Sequence, residues 1–241
     1  MISLLVLYLF QSNFLYYPIP EIPNDYKSEN FMIEGETINV IKLNENKKNA
    51  IIYFGGNTEA VVYNAKSFKE VFSEHTVYIV NYRGYGPSSG TPSEKAFYHD
   101  ALYLYDVFKK RHLKLAVIGR SLGSGIATFL ASKREIHKMI LVTPYDSIEH
   151  MAQDRFYLYP ISFLIREKYD SISNVKHIKS KTLVLLAELD KVIPLKYSLN
   201  LIKEFPKDKI VVKTILDIDH IYISDHFEYQ SIISEFMLEK E

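Results

Sequence analysis

The sequence predicts an α/β protein with a doubly wound, mostly parallel β-sheet. Short apolar runs at 50–54, 115–118 and 182–186 are continuous and do not alternate with polar residues. This pattern is typical of strands that are covered on both faces, as in a parallel sheet. Helical stretches separate the runs, and this alternation favours short right-handed crossovers between parallel strands.

Seven strands are predicted in chain order, at 37–43, 50–54, 76–82, 115–119, 138–143, 182–187 and 210–216. Helices are predicted over about 59–72 and 92–111, from just after Ser121, and over about 195–205 and 224–239. The helix at 92–111 has the strongest signals, because Thr91 can cap it, Pro92 suits its first position and Glu94 can close a capping box. The aromatic-rich stretch 147–177 interrupts the alternation, so we expect a small, cap-like helical insertion over the site.

The N-terminal residues 1–24 are predicted to form a hydrophobic and extended segment before a single domain at 25–241. Residues 2–10 are apolar except for Ser3, but a membrane-spanning helix needs about 20 such residues. No Lys or Arg precedes the run, and no small-residue cleavage site follows it. Three interpretations stay open: a buried first helix, a membrane anchor and a cleaved signal. The expected location is accordingly either cytoplasmic or membrane-associated, with residues 1–17 as the segment that would contact the membrane surface.

Composition excludes several classes of function. The 29 Lys and Arg residues balance 29 Asp and Glu residues, whereas a nucleic-acid-binding protein needs an excess of basic charge. The chain has no cysteine, which excludes disulfides, thiolate zinc sites and a cysteine nucleophile. The expected partner is a small-molecule or acyl-chain substrate, and the sequence does not define an oligomeric state.

The turn at residues 119–123 has the pattern G-x-S-x-G and lies between a predicted buried strand and a predicted helix. That context is typical of a nucleophile elbow, in which a strained backbone exposes the serine hydroxyl above the sheet. Gly119 and Gly123 provide the two positions that must lack a side chain in so tight a turn. The alternative is an ordinary strand-to-helix turn whose serine is only a cap. We predict that Ser121 is the nucleophile.

A serine hydroxyl is a poor nucleophile until a base takes its proton, and that base is usually a histidine. His220 lies in the loop after the last predicted strand, which opens at the same sheet edge as Ser121. His226 is a weaker candidate, because it falls within the final predicted helix.

The acid that orients the histidine should follow another strand at this edge, between the serine and the histidine in the chain. Asp190 lies in the loop after the strand predicted at 182–187 and is the preferred acid. Glu188, in the same loop, and Asp146, after the preceding strand, are competitors.

Negative charge on the substrate oxygen in the transition state requires backbone N–H groups that already face it. The amide of Leu122 is one predicted donor. The amide of Asn57 is the other, because Gly55 and Gly56 allow the loop after strand 50–54 to approach closely. The loop lacks the Lys-Ser/Thr that a phosphate-binding P-loop needs.

Together these residues resemble the α/β-hydrolase superfamily, and more narrowly its Bem46-like group of serine hydrolases, which includes the ABHD17-type and ABHD13-type proteins. The similar stretches are 11–18, 54–57, 81–90, 119–123, 143–147 and 190–194. The last of them implies Asp190 as the acid and disfavours Asp146. The sequence departs from the family pattern at Gly55, where a histidine is usual, at Asn81, where aspartate is usual, and at Ile221.

The resemblance implies hydrolysis of an ester, thioester or amide without a cofactor or metal. In the expected mechanism Ser121 attacks an acyl carbonyl, His220 takes its proton and Asp190 holds the imidazole. Two alternatives stay open: a peptidase or aminoacyl-releasing hydrolase of the same fold, and a non-catalytic binding module.

Overall fold

A computed structural model describes Tyr8 and residues 11–239, so the predicted hydrophobic run at 2–10 lies outside the described residues except for Tyr8. The described chain forms one eight-stranded sheet with the order β1-β2-β4-β3-β5-β6-β7-β8. Strands β3 to β8 pair in parallel, and β2 pairs antiparallel with both β1 and β4. The strands are β1 (Ser28–Ile33), β2 (Glu36–Leu43), β3 (Asn49–Phe54), β4 (His75–Val80), β5 (Lys114–Arg120), β6 (Lys138–Val142), β7 (Lys181–Ala187) and β8 (Ile210–Ile215).

Helices connect these strands and cover both faces of the sheet, as the sequence predicts. They are α1 (Ala65–Val71), α2 (Glu94–Lys109), α3 (Leu122–Lys133), α4 (Ile148–Arg155), α5 (Ile161–Leu164), α6 (Ser171–Val175), α7 (Leu195–Lys203) and α8 (Phe227–Leu238). Two single 3₁₀ turns, Val61–Asn64 and Ile223–Asp225, precede α1 and α8.

The continuous apolar runs arise because the two faces of the sheet contribute to two separate hydrophobic clusters. In β3, Ile52 packs into the cluster of α2 and α3, whereas Ile51 and Tyr53 pack into the cluster of α1 and α8. Successive strand side chains point to opposite faces, so a strand that is buried on both sides must be apolar at every position. Burial on both faces also fixes the register that brings the carboxyl ends of β3, β5, β7 and β8 to one edge.

The structure differs from the sequence prediction at three elements. Strand β1 is additional, and it forms an antiparallel hairpin with β2. Helix α2 begins at Glu94 and is capped by Ser93, whose hydroxyl accepts the N–H of Ala96, so Thr91 is not the cap. Ser93 adjoins the first helical residue and therefore takes the capping position. The helix predicted from residue 59 begins only at the 3₁₀ turn, because the Glu59 side chain bonds back to the preceding loop.

Residues 147–177 hold three short helices, α4 to α6, and are joined to the N-terminal segment. The Gln11 side chain binds the backbone of Leu164 and Arg166, and the Tyr16 hydroxyl donates to Glu167 at 2.5 Å. Within the part of the chain that the structure describes, no helix has both the length and the apolarity needed to cross a membrane.

Candidate active site

The turn between β5 and α3 holds Ser121 in a backbone conformation that serine rarely adopts, with φ 51° and ψ −118°. A non-glycine residue in this region is strained, and such strain concentrates at functional sites. The turn has no room for a side chain two residues before or two residues after the serine. A Cβ atom on Gly119 would lie 2.4 Å from the carbonyl oxygen of Gly123, and one on Gly123 would lie 2.1 Å from that of Phe54. Tight packing of α3 on β3 and β5 thus requires both glycines.

The structure brings Ser121, His220 and Asp190 together, although 99 residues separate the serine from the histidine. The Ser121 Oγ lies 2.9 Å from Nε2 of His220, and the Nδ1 of His220 lies 2.7 Å from Oδ2 of Asp190. An ionised carboxylate can only accept hydrogen bonds, so Nδ1 carries the proton. Nε2 is then the acceptor for the serine hydroxyl, which is the tautomer a general base needs.

Backbone amides fix the Asp190 carboxylate in the loop after β7. Its Oδ1 accepts the N–H groups of Val192 and Ile193 at 2.9 and 2.7 Å, which leaves Oδ2 for the imidazole. The side chain is only 2% exposed, so water competes little for these bonds. The short loop therefore presents one oxygen of the carboxylate to His220.

The competing residues have other partners. Asp146 bonds to Nδ1 of His150 at 3.2 Å and to the N–H of Ser147. Glu188 accepts the N–H of Asp217, and His226 caps helix α8 by accepting the N–H of Glu228.

The loop after β3 lies against Ser121. A Cβ atom on Gly56 would lie 3.6 Å from Cβ of Ser121, and the N–H of Gly123 donates to the carbonyl of Gly55 at 3.1 Å. Among residues 11–239, none accepts a hydrogen bond from the backbone N–H of Leu122 or of Asn57. These are the two amides that the sequence analysis predicts as oxyanion donors.

Local packing explains why position 55 is a glycine. A Cβ atom there would lie 2.5 Å from Cγ1 of Val61, so a histidine would force the 3₁₀ turn outward. The Gly55 carbonyl is instead held by the hydroxyl of Tyr82 at 2.7 Å.

Sequence reasoning missed two charged residues beside the site, Glu59 and Arg120. Glu59 accepts the N–H of Gly56 at 2.6 Å, and its carboxylate lies 3.1 Å from a guanidinium nitrogen of Arg120. The available signal was a pair of opposite charges placed just after two neighbouring buried strands. Within the described ranges, no group of three or more His, Asp or Glu side chains could hold a metal ion.

Comparisons with known proteins agree with this architecture. Residues 49–163 match the model of a protein family described as having the alpha/beta hydrolase fold. Solved structures cover most of the chain at low sequence identity. Est1E from Butyrivibrio proteoclasticus, solved with ferulic acid bound, superposes with a TM-score of 0.71 at 17% identity, covering 87% of this chain and 98% of Est1E. The esterase Pf2001 from Pyrococcus furiosus superposes with a TM-score of 0.68 at 15% identity, covering 92% and 96%.

Among curated proteins, the lysophosphatidylserine lipase ABHD12 of Macaca fascicularis is 30% identical over 224 residues. The alignment covers 79% of this chain and 56% of the relative, so the chain spans about half the length of the curated relatives that it matches. The eight-stranded sheet and the solved structures show that this chain has the α/β-hydrolase fold.

Proposed function

We propose that the protein is a serine hydrolase that cleaves an acyl ester through a covalent acyl-enzyme. Ser121 is the nucleophile, His220 is the general base and Asp190 orients the imidazole. The observation that carries this proposal is the continuous series of hydrogen bonds from the Ser121 hydroxyl through His220 to the buried Asp190 carboxylate.

The proposed reaction has two halves. In the first, Ser121 Oγ attacks the carbonyl carbon while Nε2 of His220 takes the hydroxyl proton, and the imidazolium then gives this proton to the leaving alkoxide. In the second, His220 removes a proton from water, which attacks the acyl-enzyme and releases the carboxylic acid. Asp190 stabilises the imidazolium in both halves without taking its proton.

The backbone amides of Leu122 and Asn57 are the proposed oxyanion donors. Leu122 is the first residue of α3, so its N–H lies at the positive end of the helix dipole. Asn57 approaches from the neighbouring strand β3. Donors fixed by the backbone need no reorientation as charge develops on the oxygen.

We place the protein in the Bem46-like group and propose a single hydrolase domain at 25–241, with the stretch 147–177 as a small cap. Large apolar side chains of this cap are exposed to solvent, among them Tyr157, Leu158 and Phe163. They favour an apolar acyl group on the substrate. The lysophosphatidylserine lipase relatives support a lipid-like ester, and a thioester of the same acyl group would present the same carbonyl carbon to Ser121.

The test is hydrolysis of a p-nitrophenyl acyl ester by purified wild-type protein and by Ser121→Ala. We expect kcat to fall by roughly 10⁴-fold or more in the variant, because loss of a triad residue removes covalent catalysis. The matched control is Ser132→Ala on the same helix. Among the described residues, the Ser132 hydroxyl bonds only to the Phe129 carbonyl and to Asn174. It should hydrolyse the ester at the wild-type rate.

Retained turnover in Ser121→Ala would reject the assignment of the nucleophile. Failure of the wild-type protein to react with a fluorophosphonate probe would favour a binding module, because only an activated serine is labelled. An acyl series from acetyl to dodecanoyl esters tests the substrate class, and we expect kcat/KM to rise with chain length. Preference for aminoacyl p-nitroanilides would indicate a peptidase instead.

A further inference from the structure

Arg120 and Glu59 form a buried ion pair directly beneath the proposed catalytic residues. Arg120 adjoins Ser121 at the end of β5, and Glu59 follows the loop after the adjacent strand β3. The two side chains are only 12% and 10% exposed, and Nη1 of Arg120 lies 3.1 Å from Oε2 of Glu59. Neither residue belongs to the proposed triad or to the oxyanion donors.

Each member of the pair also binds the backbone of a different loop. The Nη2 of Arg120 donates to the carbonyl oxygens of His220 and Ile221, at 3.2 and 2.8 Å. The Oε2 of Glu59 accepts the N–H of Gly56, at 2.6 Å. The pair therefore connects the loop that carries the histidine to the loop that carries the oxyanion donor Asn57, across the strand that ends at Ser121.

The bond to Gly56 also occupies one amide of the oxyanion loop. Glu59 takes the N–H of Gly56, whereas the next N–H, that of Asn57, has no acceptor among the described residues. The other oxygen of Glu59 is held by the Tyr53 hydroxyl and the Asn64 side chain, at 2.6 and 2.5 Å. The carboxylate is thus fixed from both sides.

Burial of two charges is costly, so stability alone is a weak explanation for such a pair. Burial is the largest single influence on the pKa of Arg120 and lowers it, but electrostatic interactions with Glu59, Tyr53 and Tyr229 and the hydrogen bond to Glu59 together outweigh it, so the net shift is upward. The guanidinium therefore stays charged, and its planar fork binds the carboxylate and the two carbonyl oxygens through separate nitrogen atoms in a fixed geometry, whereas the donors of a lysine converge on one nitrogen.

We propose that Arg120 and Glu59 are positioning residues that hold the histidine loop and the oxyanion loop in register with Ser121. The inference rests on the proposed function, because it explains how the histidine loop and the oxyanion loop are aligned with Ser121. Neither residue contacts the substrate. They affect the geometry of the transition state, so their substitution should change kcat rather than KM.

The experiment measures kcat and KM for a p-nitrophenyl ester with Glu59→Gln, Arg120→Met and the double variant. Displacement of reacting groups by about 1 Å costs roughly 10²-fold in rate, so we expect each single variant to lower kcat by about 10- to 100-fold with KM little changed. The double variant should lose little more than the more severe single variant, because the two residues act as one unit.

The control is Arg134→Met at the other end of α3, where Arg134 makes a two-bond ion pair with Asp106, both bonds at 2.8 Å. It removes the same charge and an arginine–carboxylate pair that is more exposed, about 20 Å along the helix from Ser121, and should keep the wild-type kcat. If Arg120→Met does not fold, Arg120→Lys is used, which keeps the charge but not the fork. It should still lower kcat.

Wild-type kcat in folded Glu59→Gln and Arg120→Lys would overturn the inference, as would losses confined to KM. Losses that multiply in the double variant would overturn the proposal that the pair acts as a unit. These outcomes are separate from failure of the proposed function, which Ser121→Ala decides: an inactive Ser121→Ala with fully active Arg120 and Glu59 variants rejects only the positioning role.

Discussion

The proposed active site has no space for a Cβ atom at position 123. The N–H of Gly123 donates to the Gly55 carbonyl, and its Cα faces the backbone of β3 so closely that a methyl group would lie 2.1 Å from the Phe54 oxygen and 2.7 Å from the Gly55 oxygen. Both obstacles are backbone atoms in a buried strand end, so they cannot rotate away. Helix α3 can be this close to the oxyanion loop only with glycine here.

Replacement Gly123→Ala is expected to force α3 away from β3. Overpacking of this kind costs about 1–3 kcal/mol of unfolding free energy, and the shift separates Ser121 from the oxyanion loop, so kcat should also fall more than tenfold. Urea denaturation and ester hydrolysis measure the two effects.

The control for Gly123→Ala is Gly35→Ala in the β1–β2 hairpin. Gly35 has φ +83°, and a methyl group added there would have no atom within 4 Å, so the cost of the change is backbone strain of about 1–2 kcal/mol. This variant should lose stability without losing kcat. Equal kcat in Gly123→Ala and wild type would show that the elbow tolerates the methyl group.

The side chain of Asn57 hydrogen-bonds the oxyanion loop to the N-terminal segment. Its Nδ2 donates to the Leu15 carbonyl at 2.5 Å, while its Oδ1 accepts the Tyr85 hydroxyl at 2.7 Å and the Tyr17 N–H at 3.3 Å. The segment continues along the sheet edge, where the N–H of Gly86 donates to the Ile19 carbonyl. An element outside the predicted hydrolase domain thus supports a loop inside it.

The change Asn57→Ala keeps the proposed oxyanion N–H but removes all three anchors. Loss of an oxyanion donor costs about 10²–10³-fold in kcat, and because the donor is here loosened rather than removed, we expect a decrease of about tenfold. Steady-state hydrolysis of the p-nitrophenyl ester measures it. Asn24→Ala is the control, because within the described part of the chain the Asn24 side chain bonds only to the backbone of Ile22 and Tyr26, in the same segment. A wild-type kcat in Asn57→Ala would show that the segment does not support the loop.

Sequence reasoning predicted the elements whose burial is visible in the hydrophobicity of their own residues. The strands β3, β5 and β7 are apolar at successive positions because both faces are covered, and this pattern is visible without a structure. In strand β1, Phe31 and Ile33 are buried and Met32 between them is exposed, but all three are apolar, so the sequence does not show this alternation and does not predict the pairing with β2. The cap at Ser93 depends on local competition between neighbouring caps, and the role of Glu59 depends on Arg120, which is distant in sequence. Hydrophobic periodicity predicts neither of them.

In the whole molecule, the proposed triad lies far from two partly buried histidines, His75 and His112. The proposed triad lies at the carboxyl edge of the sheet, whereas His75 begins β4 and His112 precedes β5 at the opposite edge. Burial lowers the pKa of both histidines below the ordinary value of 6.5. In His112, Nδ1 lies 2.9 Å from the Lys47 carbonyl and Nε2 lies 2.9 Å from the Tyr78 hydroxyl, an arrangement that suits a neutral ring with its proton on Nδ1.

These lowered pKa values predict that acidification destabilises the fold. Below pH 6.5 the unfolded chain binds protons on these histidines that the folded chain does not yet bind, so the free energy of unfolding falls as the pH falls. At pH 8 both histidines are neutral in both states, and the full stability is present. Urea denaturation at pH 8, 6.5 and 5.5 should therefore give a smaller slope with pH for the variant His75→Asn/His112→Gln than for wild type. Carboxyl groups titrate in both proteins, so the difference between the slopes isolates the histidines. Equal slopes would mean that protonation of His75 and His112 is not linked to folding, and a steeper slope in the variant would reverse the sign of the predicted linkage.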